Sequence, residues 1–177
     1  MTPLLFWALK GALFLLAVAM LCALTRLLPE RDPHPSLYEV TLFVLSYLDD
    51  AHVWPALMVR WELALLDELG FGLDLSSCAA TGTKEDLIYV SPKSGRAVSA
   101  AAGADYKDRL LSLPAFLAPS SNGGRGGTAT DADVLAGLTL TEHFLMSRVL
   151  NAREEVLPEA RNRFKELFAR RVDAEST

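Results

Sequence analysis

The side chains able to do chemistry are few and widely spaced. Of the three histidines, His34 lies among prolines, His52 stands apart, and His143 falls between Glu142 and Phe144 on a predicted helix. None has the His-x-His or His-Glu-x-x-His spacing that puts two imidazoles on one metal. No serine occupies a Gly-x-Ser-x-Gly elbow, no Cys-His pair is evident, and the carboxylates are scattered. The glycine-rich stretch from Ser120 to Thr128 lacks the Gly-Lys-Ser/Thr of a phosphate cradle. No catalytic residue is assigned, and the chain reads as something other than an enzyme. The two cysteines, Cys22 and Cys78, are too distant for a disulfide framework and fit a reducing cytoplasm.

Two polar residues stand out by context. Glu62 shares a helical stripe with Met58, Leu66 and Leu69, so a carboxylate falls in an apolar face and must be paired or hydrogen-bonded. Arg26 or Arg31 is the expected partner. Arg60, Ala64 and Asp67 share roughly the opposite face. There Arg60 reads as an exposed helix cation paired with Asp67.

The elements that must position these residues are mainly helical. The third helix is predicted from about Pro55 to Leu69 and stopped by Gly70 and Gly72. Before it, Ser36 with Glu39 three residues on suggests a capping box, and Leu37, Val40, Val44 and Leu48 make one stripe. Pro29, Pro33 and Pro35 form a stiff connection upstream. Leu87–Val90 and Arg96–Ser99 read as a β-hairpin around the turn Ser91–Gly95. Asp105 to Leu111 reads as a helical turn, and Ser120 to Thr128 as a flexible loop. Further helices are predicted over about Asp131–Leu150 and Pro158–Arg171. The last carries the stripe Ala160, Phe164, Leu167 and Phe168, with basic residues suiting its C-terminus. A net charge of −5 and a pI of about 5.2 argue against a chain that grips nucleic acid through its overall field.

The N-terminus admits two readings. Gly11 to Leu24 is uncharged, and crossing Lys10 extends the apolar stretch toward the ~20 residues of a spanning helix. One reading is therefore a single-pass membrane-anchored helical protein. Against it, alanines at 17, 19 and 23 allow close helix packing, and Arg26 ends the run.

The segment Arg60–Thr81, with its helix, glycine stop, extended piece and Cys78, resembles the helical part of the RecO family of bacterial recombination mediators. So do Leu27–Pro35 and Tyr89–Ser99. The resemblance extends from about Ala17 to Arg171 and favours a buried first helix over a membrane anchor. It implies a mainly α helical bundle with a small β-hairpin insertion of degenerate zinc-finger-like kind. The expected organisation is an apolar leader over 1–16, a helical domain over 17–74 and 129–172, a hairpin subdomain over 75–118, a flexible loop over 119–128 and a tail over 173–177. Many relatives hold a structural zinc with four cysteines. Here only Cys78 stands in place, Thr81 takes the second position, and Gly95 to Ala100 has none, so no zinc or other cofactor is expected. Packing of Leu75, Leu87, Tyr89 and Val98 would hold the hairpin instead.

The resemblance also implies a function in DNA repair and homologous recombination, located in the cytoplasm and nucleoid-associated. The family's helical domain docks the acidic C-terminal tail of single-stranded DNA-binding protein, which ends in Pro-Phe. Such a ligand needs a cation for its carboxylate and an apolar seat for its ring. Arg60 matches the arginine before the family's aromatic-Glu-Leu motif, and Leu57, Trp61 and Ala64 are the neighbouring candidates for the seat. Val59 stands where some relatives have a second arginine. RecR is the second implied partner. The short alternating strands of the family's OB-fold are not found ahead of the first helix, which places DNA binding in doubt.

Overall fold

A computed structural model describes residues 3–119 and 129–175. Among the described residues, six α-helices and one small sheet form: α1 (Pro3–Thr25), α2 (Pro35–Ser46), α3 (Trp54–Glu68), β1 (Leu87–Val90), β2 (Ala97–Ser99), α4 (Ala100–Gly103), β3 (Leu111–Ser112), α5 (Asp131–Phe144) and α6 (Glu159–Glu175). The chain is mainly α with a small β insertion, as expected. The glycine-rich segment from residue 120 to 128 lies outside the described residues.

α1 packs along α6, α2 on α3, α3 on α5, and α5 on α6. α1 uses one face: Leu13, Ala17, Met20, Leu21 and Leu24 are buried, while Phe14 and Leu15 remain exposed. Their spacing of three and four residues makes this the packing stripe of a core helix. Among the described residues, no helix is long and apolar enough to cross a membrane. α1 continues unbroken across residue 16, and α6 continues to Glu175.

α2 begins one residue before the predicted cap. Pro35 takes the first turn, where its missing N–H costs nothing, His34 is the N-cap, and no side chain caps the helix. The expected Ser36–Glu39 capping box is therefore absent. A capping box opens α5 instead, where Thr130 and Asp133 satisfy each other's backbone N–H groups. His34 instead ties the proline connection to α3, with Nδ1 2.8 Å from Glu68 Oε1.

The hairpin is a three-stranded antiparallel sheet in the order β2-β1-β3. Tyr89 opposes Val98 on one side and Ser112 on the other. The helical turn predicted through Leu111 stops at Arg109, and Leu111 joins the sheet as β3. A strand of two residues has no period to read, so only its partner reveals it. Gly95, with φ of 72°, closes the turn in a conformation that favours glycine. The turn rests on the end of α5. There the helix widens into a π turn (Leu145–Leu150), and Arg148 lies over the Phe144 ring at 5.5 Å while donating to the Lys93 carbonyl at 2.6 Å.

Candidate protein-docking site on the third helix

α3 carries Glu62 and Arg60 on opposed faces, and the fold treats them differently. On the inner face Glu62 is fully buried, as its apolar stripe requires. Its partner is Arg161 of α6, not Arg26 or Arg31. Arg161 is itself fully buried and grips the carboxylate with both ends of its fork: Nε lies 3.0 Å from Oε1 and Nη2 3.2 Å from Oε2. Nη2 also donates to the Leu138 carbonyl at 2.5 Å, and Nη1 to Glu142 Oε2 at 2.5 Å. Thr141 donates its hydroxyl to Glu62 as well. The two carboxylates raise the Arg161 pKa above its ordinary value despite the opposing effect of burial. One guanidinium thus joins α3, α5 and α6 through a desolvated, bidentate contact.

Glu142, at the rim of this network, also accepts from Lys165 Nζ at 2.8 Å. Burial pushes its carboxyl up, but Lys165 and Arg161 outweigh that and hold it below its ordinary value of 4.5. A carboxyl with a lowered folded-state pKa contributes stability that is present above the unfolded value and lost as pH falls through the folded one. Glu142→Gln is therefore expected to reduce the pH dependence of stability below about pH 4.5, with urea unfolding across acid pH as the measurement.

On the outer face Arg60 is exposed, with Leu57 and Ala64 half-buried one turn to either side. Its guanidinium does not pair with Asp67, whose carboxylate covers Gly72 instead. It donates to the Phe116 carbonyl and lies 5.8 Å from the centre of the Phe116 ring. That bond uses one of the five N–H donors of the guanidinium. The segment Ala115–Leu117 forms a ledge beside the arginine, and Ala115 and Ala118 line a neighbouring cavity of about 200 Å³ with Leu87, Ile88, Leu113 and Lys84. Nothing in the sequence pattern signals this ledge, since a backbone carbonyl carries no residue identity.

Trp61 takes no part in that surface. It is fully buried, with Nε1 donating to Thr41 Oγ1 of α2 at 2.8 Å. Of the four residues expected to meet a partner, the structure brings Arg60, Leu57 and Ala64 to one face and places Trp61 in the core.

Cys78 is buried under the sheet, and its Sγ accepts from the Ser99 N–H at 3.3 Å. Burial opposes its ionisation, but hydrogen bonds from Ser99 and Thr81 outweigh that and lower the thiol to about 6. Leu87 and Val98 are buried beside it, with Leu75 and Tyr89 partly so. Among the described residues, no group of three or more His, Cys, Asp or Glu is placed to hold a metal ion.

A helical bundle with an inserted sheet and an arginine presented on α3 is the arrangement that the sequence resemblance implies. Residues 13–154 match the family model for the C-terminal part of recombination protein O. The chain belongs to the RecO family. It is 57% identical over 155 residues to the DNA repair protein RecO of Methylorubrum extorquens strain PA1, covering 87% of this chain and 63% of that protein. It is 57% identical over 152 residues to RecO of Methylobacterium nodulans, covering 86% and 62%. With RecO of Ruegeria sp. strain TM1040 it shares 48% identity over 168 residues, covering 93% and 67%. The RecO match thus spans a little under two thirds of the first two relatives. No solved structure matches the chain.

Proposed function

We propose that this RecO-family chain acts in DNA repair as a protein-docking module of a recombination mediator, receiving the acidic C-terminal tail of single-stranded DNA-binding protein on the Arg60 face of α3. The observation that carries the reading is the exposed, pre-oriented Arg60 guanidinium on a family-matched helical domain. Because the Phe116 carbonyl holds the fork, less rotamer entropy is lost when a carboxylate arrives. Leu57 and Ala64 supply apolar contact. RecR is a second partner in this reading, the hairpin works without zinc, and the chain operates in the cytoplasm near the nucleoid. DNA contact has no assigned residue on this chain.

The test is binding of a labelled peptide ending in Asp-Ile-Pro-Phe, followed by fluorescence anisotropy. Wild type is expected to bind saturably, and Arg60→Ala to weaken binding by about tenfold or more, the size of one lost charge-assisted hydrogen bond. Arg60→Lys keeps the charge but not the fork and should fall between. Equal affinity of wild type and Arg60→Ala would remove Arg60 from the site, and no binding by folded protein would remove the proposal.

A further inference from the structure

α2 is apolar on almost every side. Leu37, Val44 and Leu48 face the core, yet Tyr38 is 61% exposed, Phe43 52%, Leu42 43% and Leu45 41%. A helix that is hydrophobic all round belongs in a buried setting, and contiguous exposed apolar surface of this kind marks a contact site. The aromatic part is already ordered, since the Phe43 and Tyr47 rings pack with centroids 4.9 Å apart.

Charge identifies what covers this face. From Asp32 to Val59 the sequence contains no Lys or Arg, while Asp32, Glu39, Asp49 and Asp50 are all exposed. Glu39 lies within the patch, lining a shallow groove with Val40, Leu42 and Phe43. Asp49 and Asp50 follow the C-terminal end of the helix. We propose that the outer face of α2 docks a cationic amphipathic helix of a partner protein. Its apolar side would rest on Tyr38, Leu42 and Phe43, and its Lys or Arg residues would meet Glu39 and the Asp49–Asp50 pair.

The same charges disfavour other occupants. A second copy packed α2 against α2 sets acids against acids with no cation from either helix. Phosphate backbones and anionic lipid headgroups are repelled, as is the acidic tail assigned to Arg60. The two surfaces therefore select ligands of opposite sign, and this inference stands whether or not the Arg60 reading holds.

The probes are a synthetic helical Leu/Lys peptide and its Leu/Glu counterpart with the same apolar positions, titrated against the full chain by fluorescence anisotropy. The Lys peptide is expected to bind at least about tenfold more tightly than the Glu peptide, with affinity falling as salt rises. Phe43→Ala, at an exposed position, should weaken it about tenfold while the thermal transition stays in place. The double variant Glu39→Lys/Asp49→Lys should reverse the preference between the peptides. Absence of binding, equal binding of both peptides, or an unreversed preference in the double variant would overturn the proposal. So would self-association in sedimentation that Phe43→Ala abolishes, which would make a second copy the occupant. Binding to phosphatidylglycerol vesicles at the affinity of the Lys peptide would overturn it in favour of a lipid surface.

Discussion

Arg161→Ala is expected to cost about 3–5 kcal/mol, the range for removing one partner of a buried ion pair. That is a large part of the about 5–15 kcal/mol that separates a folded domain from its unfolded chain. The cause is what remains behind. Glu62 stays fully buried, and the guanidinium that meets both its oxygens is gone. The Leu138 carbonyl loses a donor at the same time, and Glu142 keeps only its contact with Lys165 among the bonds described. Guanidinium chloride unfolding measures the loss directly. Glu62→Leu combined with Arg161→Met should recover most of it, because removing both charges also removes the desolvation they impose. That recovery separates a pair that specifies how three helices meet from one that merely adds stability. A loss below about 1 kcal/mol for Arg161→Ala is the behaviour of a surface ion pair and would mean that apolar packing alone sets the helix arrangement.

Half of this network was legible in the sequence. The helical spacing of Glu62 with Met58, Leu66 and Leu69 puts it in an apolar face, and burial follows whatever the partner is. The partner was also written there in weaker form. Arg161 precedes Phe164 by three residues and Phe168 by seven, so it shares the inward stripe of α6 with two fully buried rings. A charged residue in that stripe is discounted by any hydrophobic pattern, and the nearer arginines at 26 and 31 look like better partners. The decision belongs to tertiary structure: α3 and α6 both pack on α5, and chain proximity has no bearing on it.

The outer face shows the opposite limit. Arg60 was singled out by the family resemblance and is exposed, but its orientation depends on the Phe116 carbonyl, which no side-chain pattern encodes. The α2 face was hidden for a different reason. Its stripe of Leu37, Val40, Val44 and Leu48 explains the helix so fully that the remaining apolar residues pass as unremarked surface. Only their exposure, with the run of acids around them, makes them informative.

Trp61→Ala is expected to lose about 3–5 kcal/mol, the usual cost of truncating a buried large aromatic, and to do so through α2. The indole is fully buried and donates to Thr41 Oγ1, and Thr41 in turn donates to the Leu37 carbonyl at 2.7 Å. Deleting the ring opens a cavity and also ends the side-chain hydrogen bond that reaches across from α3. Thermal unfolding should show the loss. Trp61→Phe isolates the functional question, because it keeps most of the volume while removing the N–H donor. If Trp61 is a core residue, Trp61→Phe lowers stability yet leaves the affinity for the Asp-Ile-Pro-Phe peptide at its wild-type value. A folded Trp61→Phe protein that binds this peptide about tenfold more weakly would instead return the tryptophan to the docking surface. Helix α3 would then have to turn or open to present it, because a ring with no exposed area cannot meet a partner where it now lies.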